Sequence, residues 1–539
     1  MLEFNTRLLK RIHPGILSLL SGILLFAAWP ISPLTFLIFI AFIPLLWMEL
    51  QGIKRRNFFL WIYFAMLFWN VSTTWWIINS TLPGAIGAFL ANSLLMCIPW
   101  IGYYNVKRRL GVAAGYFSFI FFWLTFEYIH LNWELSWPWL TLGNVFSTHP
   151  NWIQWYEYTG TSGGSLWVLG INFLLLMLIQ KKLREKRWSV RTISFLLGTL
   201  LLPLAVSYFG SEFIFDKRGA GNVVVVQPNI DPYKKFQAGE ERWQIQNLID
   251  LSNSKIDKYT TLVVWPETAI PLPIEEDSVK RHPFLQPVRD FLKQHPQIVL
   301  LSGIEGFRFF DKDHQTKYTQ RYSVNDLYYE AYNTAALFDS TRVQLYHKSR
   351  LVPGVETLPS FLKFLDSWFE QFGGTTGGYA RQNERTVLVA DNSQNKIAPA
   401  ICYESIYGEF MSKFIKNGAN VICVITNDGW WGKTPGYLQH QSYARLRAIE
   451  TRCWVIRSAN TGISCFIDRN GKDIQSLPWD VAGALKQAVP INDAHSTFFV
   501  RHGDLISKIA IALAIMMIIW DIFAVVKSRT YGKKPAVSK

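Results

Sequence analysis

Uninterrupted apolar runs fill the first 210 residues of this 539-residue chain, and no other feature limits its possible folds so strongly. About 20 apolar residues in a helix span the roughly 30 Å hydrocarbon layer of a bilayer. Backbone polar groups find no water partner there, so such a run must satisfy its hydrogen bonds internally, as a helix does. Runs of this kind lie near 14–30, 33–50, 58–78, 84–105, 111–130, 165–180, 192–209 and, far downstream, 505–526. The expectation is eight membrane helices, seven before a more polar segment and one after it. The first run has the basic lead-in of a signal peptide (Arg7, Lys10, Arg11), but "LLFAAWPISP" offers no clear small-x-small cleavage site and further spans follow at once, so it reads as a short helix.

Charge orients these spans. The net charge is +15, from 54 basic against 39 acidic side chains, and its distribution is uneven. With a cytoplasmic N-terminus, the inner loops and tails hold twenty Lys and Arg, at 7–11, 54–56, 107–109, 181–191 and 527–539, whereas the outer stretch 131–164 holds none. Basic residues concentrate on the cytoplasmic side of membrane proteins. The rule puts the central segment on the outer face of the membrane and explains the basic excess by topology, without nucleic acid as a partner. Four units are expected: 1–210 with seven helices, an outer domain over 211–503, an eighth helix over 504–527 and a cytoplasmic tail over 528–539.

From Gly221 the texture changes to short β-rich runs separated by polar, helix-like stretches. "NVVVVQPN" at 222, "TLVVWPET" at 261, "QIVLLSGIE" at 297, "NTAALFDS" at 333, "VQLYHKS" at 343, "RTVLVAD" at 385, "KIAPAICYES" at 396, "ANVICVITND" at 419 and "CWVIRSANTGISCFIDRNG" at 453 read as strands. Helices are expected near 238–258, 284–294, 405–416 and 437–452. Several strands are apolar on both faces, as in sheets covered on both sides, and an α/β layered domain follows. "FGGTTGGY" at 372–379 reads as a loop. Just before it, Leu358, Phe361, Leu362, Leu365 and Phe369 form an apolar helical stripe, which fits core packing or an arm dipping into the membrane.

Three polar residues stand where strand-like runs stop: Glu267 after "LVVWP", Lys348 after "VQLYH" and Cys402 after "APAI". Loops beyond strand C-termini are where open α/β sheets place ligands. The three are chemically complementary, since a carboxylate can take the proton of a thiol while a fixed ammonium steadies the thiolate and a developing oxyanion. Other signals are weaker. "GTSGG" at 160–164 fits G-x-S-x-G but follows an aromatic loop, not a strand. "WWGKT" has Asn427 where a phosphate-binding loop needs its first glycine. His440 has no partner at metal-ligand spacing, so a packing or surface role is expected, and no metal or cofactor is expected anywhere. Trp133, Trp137, Trp139, Trp152 and Trp155 read as an interfacial belt or as the lining of a lipid path. Of five cysteines, Cys402, Cys423, Cys453 and Cys465 fall in the outer segment, where pairing stays open, as does a free thiol.

"WPETAIP" around Glu267, "YHKSRLVPGVETLP" around Lys348 and "ICYESIYGEF" around Cys402 resemble the three catalytic blocks of the nitrilase superfamily, and "NDGWWG" at 427 and the stretch from 439 resemble the blocks that follow. With eight spans around such a domain, the chain is similar to the apolipoprotein N-acyltransferase family over nearly its whole length, including "WPWLTLGN" at 137 and "FVRHGD" at 499. The resemblance implies a nitrilase-like αββα sandwich inserted in an eight-helix transmembrane bundle. It implies Glu267 as general base, Lys348 as oxyanion stabiliser and Cys402 as nucleophile, with Glu356, Tyr403, Glu404 and Trp431 toward substrate. The implied partners are a phospholipid acyl donor and diacylglyceryl apolipoproteins as acceptors, joined by ping-pong transfer through a Cys402 thioester. Two loop positions depart from the family pattern: Phe236 stands where tryptophan is common, and Gly354-Val355 where Phe-Gly is common before the glutamate. A membrane-anchored amidase using the same triad and a catalytically silent lipopeptide binder are the alternatives.

Overall fold

The computed structural model describes residues 12–210, 221–237, 239–322, 327–358, 378–390, 394–490 and 496–531. The apolar stripe beyond Leu358, most of the "FGGTTGGY" loop and the basic residues at 7–11 and 533–539 lie outside the described residues.

Helices occupy the expected apolar regions, with differences in length. Among the described residues five are long and apolar enough to cross a membrane: Leu82–Leu110, Val112–Leu131, Thr161–Glu185, Val190–Gly210 and Leu505–Lys527. Pro14–Ala28 is shorter, at 15 residues. The second run is broken into a 3-10 turn, Thr35–Phe39, and a helix, Ile43–Leu50, with Pro44 in its first turn. Arg55–Thr74 opens on two arginines and buries Asn70, Thr73 and Thr74.

The downstream segment forms two sheets. The first has β1 (Asn222–Gln227), β2 (Thr260–Val264), β3 (Ile270–Glu275), β4 (Val299–Phe310), β5 (Gln320–Arg321), β6 (Tyr328–Phe338), β7 (Val343–His347) and a late strand, Gly483–Ala488, paired antiparallel to β1. The second runs β8 (Leu388–Val389), β9 (Lys396–Ile401), β10 (Val421–Thr426), β11 (Val455–Ala459), β12 (Ser464–Ile467) and β13 (Asp473–Leu477) in spatial sequence order. β9, β10 and β11 are parallel, and "VICVIT" in β10 is wholly buried, as a central strand covered on both faces requires.

The period-two alternation of β1 builds the layers. Val223 and Val225 pack with Leu262, Val264, Val299 and Leu301 toward the second sheet. Val224 and Val226 pack with Val263, Leu300 and the helices Glu241–Asn253 and Gln286–Gln294 on the other face. Helices Gly408–Lys416 and Pro435–Thr451 cover the second sheet, which completes the αββα order. Four strands escape the sequence reading. β3 contains Pro271 and Pro273, which an edge strand paired only to β4 tolerates. The two-residue β5, polar β13 and "GALKQA" lack a β-rich composition and are strands because a neighbour supplies the pairing.

The stretch 131–164 overturns the belt reading for Trp139. It folds back in three 3-10 turns, Pro138–Leu140, Leu142–Phe146 and Pro150–Trp152, that pack against the Pro435–Thr451 helix. Tyr443 Oη donates to Trp139 O at 2.8 Å, Ser147 and Ser442 hydroxyls are 2.8 Å apart, and the Arg452 guanidinium donates to Gln154 O at 2.9 Å. Trp139 is therefore buried, and Trp133, Trp137, Trp152 and Trp155 are half-buried. All five cysteines are free and buried.

Gly303 in β4 lies directly behind Glu267. A Cβ there would sit 2.3 Å from the Thr268 nitrogen and 2.7 Å from the Glu267 Cα, both backbone atoms that must shift. Gly303→Ala is expected to destabilise the protein by about 1–3 kcal/mol, as overpacking does, read as a lower midpoint of thermal unfolding in detergent micelles.

Candidate active site

Beyond β2 the chain keeps its pairing for two residues, with Trp265 N–H donating to Leu301 O at 2.8 Å and Gly303 N–H to Pro266 O at 3.1 Å. It then turns sharply at Thr268, whose φ is +43°. The turn buries the Glu267 side chain between the two sheets. Glu267 Oε1 accepts from Asn333 Nδ2 at 2.8 Å and Lys348 Nζ at 3.1 Å, and Oε2 accepts from the Asn427 N–H, at the end of β10, at 3.1 Å.

Lys348 leaves the end of β7 opposite Asn333, to whose carbonyl its N–H donates at 2.9 Å. Its side chain is 1 % exposed, and Nζ also donates to Glu356 Oε1 at 2.7 Å. Glu356 Oε2 in turn accepts the Val352 N–H at 2.8 Å. Burial works against the ammonium, but the Glu267 and Glu356 carboxylates outweigh it and hold Lys348 charged, well above its ordinary range.

Cys402 follows β9 directly and opens the 3-10 turn Cys402–Ile406 with a φ of +52°. A non-glycine residue in this left-handed region costs about 1–3 kcal/mol and persists only where its surroundings over-determine it. Glu404 supplies much of that constraint. Its Oε2 accepts the Ile401 N–H at 2.9 Å, and its Oε1 accepts Tyr346 Oη at 2.7 Å and the N–H groups of Ser349 and Arg350 at 2.6 and 3.2 Å. One carboxylate thus ties the nucleophile loop to the lysine loop. Burial pushes the Cys402 thiol well up and Glu267 adds to the shift, while Lys348 opposes it. The thiol is therefore protonated at rest, with a carboxylate and an ammonium acting on it.

Glu267, Cys402 and the Lys348–Glu356 loop thus converge from three distant segments. Two of the residues expected toward substrate are engaged elsewhere. Glu404 is fully buried, with both oxygens bonded inward. Tyr403 is also buried and donates its hydroxyl to Ser136 O at 2.9 Å, on the loop that follows the Val112–Leu131 helix. Trp431 sits among Trp76, Trp139 and His440, with ring centroids 4.9, 5.5 and 5.4 Å away.

Several residues around the site escape the sequence reading. Asn333 bonds Glu267 and, at 3.3 Å, Glu356; its signal is an amide inside an apolar strand. Lys235 is buried and donates to Glu267 O at 2.9 Å and Thr268 Oγ1 at 3.0 Å; burial pulls it down to about 7, against the pull of Glu267 and Glu305. Asp428, His440 and Arg457 form a fully buried network, the Arg457 guanidinium donating to Asp428 Oδ2 at 2.7 Å. Gly462, with φ +142°, leaves the room Asp428 occupies: a Cβ would come within 2.4 Å of its Oδ2. His440 is thus neither a surface residue nor apolar packing. Among the described residues, no group of three or more His, Cys, Asp or Glu side chains is arranged to hold a metal ion.

Comparison with known proteins covers both halves. Residues 222–497 match the carbon-nitrogen hydrolase family model, and residues 21–174 match the apolipoprotein N-acyltransferase N-terminal domain. The apolipoprotein N-acyltransferase of Chlorobaculum tepidum is 31% identical over 524 residues, 94% of this chain and 96% of that protein. That of Pasteurella multocida is 24% identical over 96% of this chain and 97% of its own length. Among solved structures, Saccharomyces cerevisiae Nit3, of the nitrilase superfamily, overlaps 50% of this chain and 90% of its own at 16% identity, with a TM-score of 0.35.

Because only the thiolate is alkylated, the raised Cys402 thiol has a measurable consequence. Labelling of native protein by iodoacetamide, followed by peptide mass spectrometry, is expected to speed up at Cys402 by about tenfold per pH unit to pH 9 and beyond. Lys348→Met, which removes the charge opposing the shift, is expected to slow it.

Proposed function

The chain belongs to the apolipoprotein N-acyltransferase family and is an acyltransferase, and from that premise we propose that it moves an acyl chain from a phospholipid to the α-amino group of a diacylglyceryl cysteine on apolipoproteins, through a thioester on Cys402. The observation that carries this proposal is the buried Lys348 ammonium, bonded to Glu267 and Glu356 while it acts on the Cys402 thiol.

In the first half-reaction Glu267 takes the thiol proton and the sulfur attacks the ester carbonyl of the phospholipid. The oxyanion that forms is stabilised by the Lys348 charge, among buried side chains where such a charge acts more strongly than in water. Collapse breaks the ester bond; the lysophospholipid oxygen leaves with the proton returned by Glu267, and the thioester remains. In the second half the lipoprotein amine attacks the thioester, Glu267 takes its proton, and the expelled thiolate is reprotonated. No step calls for a cofactor. Ping-pong kinetics follow from the order of release.

Glu356 keeps Lys348 charged and in place. Glu404 and Tyr403 are positioning residues in this proposal, one fixing the cysteine turn and the other holding it to the outer loop at Ser136. Trp431 lies where an acyl chain arriving from the membrane unit would meet an aromatic wall. The eight apolar regions are taken as spans of a bundle over 1–210 and 504–527, with the 211–503 unit on the periplasmic face of a bacterial inner membrane, a placement that the basic residues of the loops assigned to the inner side support.

Intact-mass measurement after incubation with phosphatidylethanolamine and no acceptor is expected to show one added acyl mass, missing in Cys402→Ala and removed by a diacylated lipopeptide. Glu267→Gln should slow adduct formation by about 10²–10⁴-fold. Hydrolysis of small amides by folded enzyme that forms no lipid adduct would establish the amidase instead.

A further inference from the structure

One buried group beside the nucleophile takes no part in the steps above. His440, on the Pro435–Thr451 helix, has Nδ1 2.9 Å from Asp428 Oδ1 and 3.0 Å from Arg457 Nη2. Its Nε2 lies 3.1 Å from the Cys402 carbonyl oxygen and 3.0 Å from Ser405 Oγ. The Ser405 hydroxyl donates to the same Cys402 oxygen at 2.8 Å.

These contacts assign the hydrogens. A carbonyl only accepts, and the single Ser405 proton is already committed to it. Nε2 must therefore carry hydrogen, whatever Nδ1 does: protonated, Nδ1 donates to Asp428; unprotonated, it accepts from Arg457. The Cys402 carbonyl thus accepts the Ser405 hydroxyl proton and shares the Nε2 hydrogen with the Ser405 oxygen, so that both buried side chains act on it.

That carbonyl belongs to the peptide unit whose N–H is that of Tyr403. In a planar trans peptide the C=O and N–H point in opposite directions, so fixing one fixes the other. Hydrogen bonds to the oxygen also polarise the unit and strengthen its N–H as a donor. The Tyr403 N–H opens a 3-10 turn, where N–H groups lack partners within the turn. The N–H following a nucleophile is well placed to receive an oxyanion.

We infer that His440 and Ser405 are positioning residues that orient and polarise the Cys402–Tyr403 peptide, so that the Tyr403 N–H joins Lys348 in holding the oxyanion at the acyl carbonyl. Asp428 and Arg457 hold the imidazole for this task. The inference rests on Cys402 being the acylated nucleophile.

The test uses full-length enzyme in micelles with phosphatidylethanolamine carrying ¹³C at the acyl carbonyl. Single-turnover thioester formation is followed by intact mass, and the thioester carbonyl stretch by difference infrared spectroscopy. Ser405→Ala, which removes one oxygen atom, is expected to slow thioester formation by about tenfold, the worth of one hydrogen bond. It should leave the half-saturating phospholipid concentration unchanged and move the carbonyl stretch to higher wavenumber. His440→Gln should act in the same direction. An unchanged stretch in both variants overturns the inference, whether or not the rate falls, because only a purely structural role would leave the carbonyl polarised as before. If unaltered enzyme forms no adduct, or Cys402→Ala still forms one, the thioester proposal falls first and takes this inference with it.

Discussion

A single buried ammonium organises the site. Lys348 is surrounded by protein, and an isolated charge there would be costly; it is retained because Glu267 and Glu356 each place an oxygen on it. The consequence runs outward from the pair. Glu267 also takes the Asn427 N–H from the second sheet and the Asn333 amide from the first, so the charge cluster fastens the sheets together at the point where chemistry is proposed. Removing any one of the three charged groups would leave the others unbalanced in a low-dielectric interior.

A second carboxylate performs the corresponding task for the nucleophile. Glu404 gathers two N–H groups and a hydroxyl from the β7 end and its loop, together with the N–H that precedes Cys402. This is why a cysteine can stand at φ +52° without relaxing. From the other side the Pro435–Thr451 helix presses His440 toward the Cys402 carbonyl. The same helix meets the membrane unit through Gln439, which donates to Thr73 O at 3.1 Å, and through Tyr443, whose oxygen accepts the Trp29 indole N–H at 3.1 Å. One helix therefore touches both the cysteine loop and the apolar helices. A site built this way has the position of its sulfur set relative to the membrane unit.

The legibility of this arrangement in the sequence was uneven, for physical reasons. Strands such as "NVVVVQ" and "VICVIT" announce themselves because burial on both faces selects β-branched residues locally. "GALKQA" does not, because its strand character comes from β1 across the sheet. Likewise, Trp139 carries no mark that separates an interfacial tryptophan from one packed beneath a catalytic domain; the difference is made by Tyr443 and Trp431, roughly three hundred residues away.

The sequence by itself determined where the apolar runs lie, where the α/β unit begins, and which carboxylate, ammonium and thiol stand at strand ends, because each of these is written in residues adjacent along the chain; how long and unbroken each apolar helix is was not among them. Only the tertiary structure decided what the remaining polar groups do. Glu404 and Tyr403 bond away from Cys402 and brace its turn, Asn333 joins two carboxylates, and His440 meets a backbone carbonyl. Hydrogen-bond direction is set by elements that meet in space, and spacing along a chain does not record it.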